Sequence, residues 1–551
     1  MKIAIAQINT TAADIEGNKN KIISFIKQAE TCNADLVIFP EAATIGYPPM
    51  DLLERDKLIN DNIESFEYVR KFSADIKCAV LLGTVNYDGD NPPMLYNSAA
   101  LINRGEIILN QNKLTPCGYD IFDELRYFTP GLSLPAVEFM GKKIGVVIGG
   151  DIDEDLINDN SRFMRRKAAA IDPVKVLAEK GVDIIINISA SPYFLSIREE
   201  RMRILQQIAL NNSVNVIFVN QVGGNDSLIF DGNSFSVNRN GEICAHCKGF
   251  EEDLIITDID SRDRADVAVN PMEDLMRALV TGLKDYMSKS GFNRCLLGLS
   301  GGIDSALVAA IACEAIGADN VFGITMPSPF SSSGSVDDSY MLAKNLGMSA
   351  DTIPITNLYN QFLNELLSVC DGNIKSITDE NIQARVRGAL LMAVSNNSGA
   401  LLLTTGNRSE CATGYCTMYG DMCGGLAVIS DISKTLVYKL SEYINIKAGR
   451  DIIPREIIDK EPSAELRTNQ KDQDSLPPYN ILDEILELYI DRNMSADEIV
   501  MKGFNRDTVN SVLHLVNANI YKRFQAAPGL KVTSRSFGIG RRIPIVNKFK
   551  P

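Results

Sequence analysis

Among 551 residues there is no tryptophan, and the only histidines are His246 and His514. That scarcity leaves little room for histidine acid–base chemistry in either half of the chain. No run of about 18 apolar residues occurs, so no segment reads as a membrane-spanning helix and no membrane partner is expected. The opening MKIAIAQINTTAAD reads as a strand and its turn, not a targeting peptide, because Gln7 and Asn9 interrupt the apolar run. Basic residues are also in deficit, 55 against 70 acidic, for a formal charge of −15. A general nucleic-acid binder needs a basic face to neutralise phosphates, and that class is set aside. A small nucleotide is not, since a few N–H groups and lysines suffice to hold it. The 11 cysteines are irregularly spaced, as expected of reduced thiols in a cytoplasmic protein. Cys244, His246 and Cys247 form CAHC, but no second pair follows at zinc spacing.

What is present is length and pattern. A single core rarely grows beyond roughly 250–300 residues, so at least two domains are expected. The first half alternates helical stretches with short Val/Ile-rich runs such as KIAIAQIN, ADLVIFPE, KIGVVIGGD and DIIINISAS, the pattern of an α/β fold with buried strands. It fades after residue 260. A polar segment follows, and a helix begins near Met272 with Leu275, Leu279 and Leu283 at helical spacing. The expected division is residues 1–262, a linker at 263–271, and residues 272–551.

In the second half a strand, Cys295 to Leu299, runs into Ser300-Gly301-Gly302-Ile303-Asp304-Ser305 and then a long apolar helix. Two glycines let the backbone approach an anion closely, and the N–H groups and dipole of the new helix point at it. Ser300 and Ser305 add hydroxyls, and Asp304 can hold magnesium. GxxxxGK[ST] is absent, so this is not a Walker-type site.

The loop resembles the SGGxDS motif of the ATP pyrophosphatases, which cleave ATP between its α and β phosphates to adenylate a carboxylate or carbonyl oxygen. Further stretches follow in order: NIQARVRGALLM, LLTTGNRSECATGYCTMYGDMCGG, ISDISKTLVYKL, PSAELRTNQKDQDSLPPY and YKRFQAAPGLKVTSRSFGIGRRIP. Together they resemble the synthetase part of glutamine-dependent NAD synthetases over nearly all of residues 272–551. The resemblance implies that Ser300, Gly301, Gly302 and Ser305 hold the departing pyrophosphate. It gives magnesium to Asp304 and Glu410, and places Thr405 near the adenosine of ATP. Arg385 and Lys434 would contact ATP or nicotinic acid adenine dinucleotide, with Lys522 at the basic end of the site. The stretch 462–479 would close over the reactants and exclude water. The implied cofactor is Mg2+, with ATP as co-substrate. The implied partner is a second copy of the chain, at least a dimer through the synthetase domain.

The first half resembles the nitrilase superfamily, which implies an αββα sandwich ahead of a Rossmann-like parallel-sheet domain. FPEAATIGYPPMDLL carries Glu41 at the general-base position. QNKLTPCGYDIFDELRYFTPG carries Lys113, matching the lysine that stabilises the tetrahedral intermediate. In NAD synthetases this domain hydrolyses glutamine and passes ammonia through a tunnel. The third partner should be a cysteine in a stretch like ICED; here Gly149 stands in its place and Gly150 replaces an acid, while Asp151 still matches. Two adjacent departures point to natural drift, with an engineered inactivation of the cysteine as the other reading. A glycine cannot form the thioester, so the expectation is an NAD synthetase fed with ammonia, its amidase half folded but silent. Glu41 and Lys113 then have a second reading, as a buried pair kept for structure. The rival functions are a glutamine-dependent enzyme with a displaced thiol such as Cys117, a regulator that binds ATP without turnover, and another SGGxDS ligase.

Overall fold

The computed structural model describes the chain except residues 89–93, 119, 153–171, 261–262, 371–373, 539 and 550–551. The expected domain end at residue 262 lies outside the described residues. Two compact units divide the chain, Met1–Asp274 and Leu275–Pro551.

The first unit carries two six-stranded sheets. One contains β1 (Lys2–Gln7), β2 (Leu36–Ile38), β3 (Ala79–Asp88), β4 (Met94–Asn103) and β5 (Glu106–Asn112). The other contains β6 (Ala136–Phe139), β7 (Lys142–Ile148), β8 (Ile184–Ser189) and β9 (Asn215–Asn220). A hairpin of β10 (Val222–Asn225) and β11 (Leu228–Asp231) precedes β12 (Phe235–Val237), β13 (Ile243–His246) and β14 (Asp253–Asp258). The orders are β14-β1-β2-β3-β4-β5 and β13-β12-β9-β8-β7-β6.

The side-chain period of two explains why these strands are apolar on both faces. Ile3, Ile5, Leu36 and Ile38 of one sheet meet Ile144, Val146, Ile148, Ile184, Ile186 and Ile188 of the other in a shared core. The alternate residues face outward. Ala4, Ala6, Val37 and Val80 pack with Ile22 and Ile26 of α1 (Ile15–Thr31) and Val69 of α2 (Asp56–Phe72). Val147, Ile185 and Val216 pack with Leu177 of α3 (Pro173–Glu179) and Leu205 of α4 (Ile197–Asn212). The result is a four-layer αββα sandwich.

The second unit begins with α5 (Pro271–Lys289), whose Leu275, Leu279 and Leu283 are buried. Its parallel sheet has the order β17-β16-β15-β18-β19, built from β15 (Cys295–Leu299), β16 (Val321–Thr325), β17 (Ser349–Thr352), β18 (Leu401–Thr404) and β19 (Leu426–Ala427). Helices α6 (Ile303–Ile316), α7 (Ser333–Leu346), α8 (Thr356–Leu367), α9 (Ser376–Ser398), α10 (Arg408–Thr413) and α11 (Lys434–Ala448) alternate with them. From β15 the chain runs outward through β16 to β17 on one side, then crosses back to β18 and β19 on the other side of β15. The crevice beyond the strand ends at such a switch point is where ligands bind in open α/β sheets.

Between 261 and 270 the described residues form no helix or strand, yet Ala265 and Val267 pack against the first unit's core. His246 of CAHC stacks on Phe235 with ring centroids 6.5 Å apart, while the buried Cys247 joins the core between the sheets. Burial, with Arg198 adding repulsion, pulls the His246 pKa down to about 4. The unfolded chain therefore takes up a proton between pH 6.5 and 4 that the folded one refuses. Stability from this group is full above pH 6.5 and falls as pH drops, by up to about 1.4 kcal/mol per unit. Unfolding of the His246→Gln variant should show a shallower loss from pH 6.5 to 4.5 than the parent. Equal slopes would contradict the assignment.

Candidate functional site

In the first unit the ends of β2, β5 and β7 converge. Glu41 follows β2 and lies flat on β3, because Gly83 leaves room there: a Cβ on Gly83 would stand 2.1 Å from the Pro40 carbonyl oxygen. Lys113 follows β5, and its backbone N–H continues the ladder to the Asn97 carbonyl at 2.8 Å. Lys113 Nζ donates to Glu41 Oε1 at 2.7 Å and contacts Glu124 Oε2 at 2.8 Å, all three side chains being buried. Asn97 Nδ2 also donates to Glu41 Oε1, at 2.7 Å, and the Ala190 N–H donates to Oε2 at 2.9 Å. The Tyr47 hydroxyl donates to Glu124 at 2.9 Å.

Burial lifts the Glu41 carboxyl above the usual range, with Lys113 opposing. For Lys113 burial pulls the other way, but Cys117, Glu124 and Glu41 around it hold the ammonium charged and its pKa well above the ordinary value. Gly149 closes the group. It follows β7 with φ +53°, and a Cβ built on it would stand 2.9 Å from both Glu41 Oε2 and Lys113 Nζ. Any side chain at 149 would therefore project between the base and the lysine. Asp151 pins this turn to the loop after Lys113 by accepting the Leu114 and Thr115 N–H groups at 2.9 and 2.8 Å. A cavity of about 40 Å³ opens on Glu41, Lys113, Cys117, Gly149 and Asn187. Asn187 Nδ2 donates to the Gly149 carbonyl at 3.0 Å, and its buried Oδ1 has no partner among the described residues.

In the second unit β15 runs into Ser300-Gly301-Gly302 and α6. Gly301 sits at φ +71° with Ser335 pressed against it, so a Cβ there would meet the Ser335 carbonyl oxygen at 2.4 Å. Ser300 Oγ accepts the Gly302 N–H at 3.2 Å and lies 3.2 Å from Ser305 Oγ. An anion replacing these internal bonds would meet ready-made donors at a helix start. Asp304 pairs with Lys434 Nζ and accepts from Asn407 Nδ2 at 3.0 Å. Glu410 lies 4.0 Å from Lys434 and completes a capping box with Asn407, which fixes it at the start of α10. Burial, and then the neighbouring Asp304, push the Glu410 pKa up to about 8.

Such a carboxylate pair sets two acids against one lysine, a donor set whose chemistry fits a divalent cation. Two carboxylates with substrate phosphates form a fitting magnesium set. Among the described residues no group of three or more acidic, histidine or cysteine ligands occurs, so the protein offers two at most.

Ser300, Gly302, Asp304, Ser305, Thr405, Glu410 and Lys434 line one cavity of about 280 Å³. Pro462 to Leu466, from the stretch expected to close over the reactants, line it too. Two expected residues stand elsewhere. Arg385 is exposed and its Nε donates to the Met418 carbonyl at 3.3 Å, while Lys522 donates to the Gly414 and Cys416 carbonyls at 2.7 and 2.9 Å. Neither lines the cavity; Arg387, two residues beyond Arg385, does. Sequence reasoning missed Glu124, Asn187, Arg387 and Lys460. For Glu124 the clue is an acid 11 residues after Lys113, but only the return of the loop brings it back.

The two folds and their clustered side chains define a ligase of amidotransferase architecture. Residues 2–268 match the carbon-nitrogen hydrolase family, and residues 275–526 match NAD synthase. The chain is 41% identical to the glutamine-dependent NAD(+) synthetase of Thermotoga maritima and 44% identical to that of Synechocystis, covering 100% of this chain and 99% of each relative. It also superposes on the glutamine-dependent NAD(+) synthetase of Acinetobacter baumannii solved with ADP, with TM-score 0.78, 38% identity, and 99% and 98% of the two chains covered. The chain belongs to the glutamine-dependent NAD(+) synthetase family.

Replacing Lys113 strands two buried acids. Lys113→Met should destabilise the first unit by about 3–5 kcal/mol at pH 7. The loss should shrink as pH falls, since protonation neutralises the unpaired carboxylates. Hydrogen exchange of the β5 and β7 amides checks this, and unchanged protection would contradict it.

Proposed function

We propose that this chain makes NAD+ by amidating nicotinic acid adenine dinucleotide, using Mg-ATP to activate the carboxylate and free ammonia as the nitrogen. The observation that supports it most is the opening of the Ser300–Ser305 loop onto the same cavity as Thr405, Glu410 and Lys434. A nicotinate carboxylate is a poor electrophile, and adenylation gives it a leaving group. Its oxygen attacks the α-phosphorus of ATP, and the bond to pyrophosphate breaks with the electron pair leaving on pyrophosphate. Loop N–H groups, the Ser300 and Ser305 hydroxyls and Lys434 take up that charge. Asp304 and Glu410 would hold magnesium, which neutralises phosphate charge when bound. Ammonia then attacks the acyl carbon and AMP departs with its bonding pair. The nitrogen sheds a proton that the AMP phosphate can accept. Residues 462–466 over the cavity keep water from the acyl-adenylate.

The amidase half is read as silent. With glycine at 149 there is no thiol between Glu41 and Lys113, and no thioester can form there. Cys117 lines the same cavity, which favours the rival glutamine-dependent reading. The point 2.9 Å from both the base and the lysine belongs to position 149 instead.

NAD+ formation with ammonium and with glutamine in parallel should proceed with ammonium only. Glutamate released in step with NAD+ would instead favour the thiol of Cys117, and failure with both would sink the synthetase reading. Asp304→Asn should lower AMP formation on the order of a hundredfold without unfolding the chain. Near-normal AMP release would remove Asp304 from the metal site.

A further inference from the structure

Three cationic side chains line the cavity of the second unit, and two are already committed to acids. Lys434 is paired with Asp304. Lys460 is paired with Glu465 at 2.9 Å and also donates to Ser335 Oγ. Arg387 is different. Its Nε donates to the Met326 carbonyl at 3.0 Å, which orients the guanidinium, yet among the described residues no carboxylate pairs with it. Burial pulls its pKa down to about 10, and the acids it senses, Glu465 and Asp421, offset that only in part. A guanidinium taken out of water without a counter-charge is costly, and a fold that orients one toward a cavity gains when a ligand brings the charge.

The strand order says which charge. Met326 follows β16, the Ser300–Ser305 loop follows β15, and Thr405 and Glu410 follow β18, with β15 in the middle. Arg387 is thus anchored on one flank of the loop, and the carboxylate Glu410 on the other. Pyrophosphate charge is met by the loop, Lys434 and the metal pair. Two anions are left without a cation, the dinucleotide's own phosphates and the α-phosphate of ATP. Only the second adjoins the pyrophosphate at the loop and stays negative through both half-reactions.

We propose that Arg387 binds the α-phosphoryl oxygens of ATP and keeps them as the acyl-adenylate forms and as AMP leaves. This rests on the synthetase reading above. Two terminal N–H groups on a planar fork match two phosphoryl oxygens, which a lysine ammonium cannot reproduce. Arg387 then has a role that neither the loop nor Lys434 fills, at the phosphorus where charge develops.

The test compares the full chain with Arg387→Gln and Arg387→Lys, measuring pyrophosphate release and inhibition by AMP. Arg387→Gln should slow pyrophosphate release about a hundredfold and weaken AMP inhibition by about tenfold or more, with the KM for ammonium unchanged. Arg387→Lys should fall between, and it carries the test if the glutamine variant does not fold. Turnover and AMP inhibition within twofold of the parent would overturn the assignment. So would a loss confined to the KM for the dinucleotide, which would give Arg387 to that substrate's charge instead. A parent chain that makes no NAD+ with ammonium would count against the synthetase reading and not against Arg387.

Discussion

Lys113 lies between Glu41 and Glu124 with almost no contact with water, and each carboxylate is bonded to further groups that cannot move independently. Asn97 and the Ala190 N–H hold one acid, while Tyr47 and the Cys117 N–H hold the other. These partners come from four different stretches of the first unit. These bonds therefore tie the ends of β2, β4, β5 and β8 together where position 149 sits. Removing Lys113 would leave two buried acids without a counter-charge.

The second unit repeats this device in an open form. Lys434 stands between Asp304 and Glu410, and the carboxyl of Glu410 is pushed up to about 8. Each site sets one lysine between two acids; the first surrounds a cavity of about 40 Å³, while the second opens on one of about 280 Å³ beside Arg387, which has no carboxylate partner among the described residues. A polyphosphate entering the second cavity, as proposed above, would meet that cation.

Much of this was legible in the residues. The SGGIDS loop announces itself, because two glycines, two hydroxyls and an acid between a strand and an apolar helix have few other uses. Alternating Ile and Val runs gave the strands, and their apolar character on both faces indicated two covered sheets. Glycine at 149 was visible too, at the end of a strand where the resemblance that matches Glu41 and Lys113 places a cysteine. Pairing across loops was not. Glu124 returns to Lys113 through a segment with no periodicity, and no spacing rule links Asn187 to Gly149. The choice between Arg385 and Arg387 turns on helix phase: two residues rotate the side chain by about half a turn, from solvent to cavity. Nor does any sequence signal show that Lys522 donates to the Gly414 and Cys416 carbonyls.

The central claim is that the first unit's site is intact apart from its thiol. Gly149→Cys tests it directly. The Cβ would stand 2.9 Å from Glu41 Oε2 and Lys113 Nζ, so the ends of both side chains must give way by a few tenths of an ångström. The positive φ adds a cost of order 1–3 kcal/mol. The variant and the parent would each be treated with a diazoketone analogue of glutamine and weighed intact by mass spectrometry. The account predicts one adduct on the introduced thiol of the variant and none on the parent. An unlabelled variant, or a parent labelled at Cys117, would contradict it.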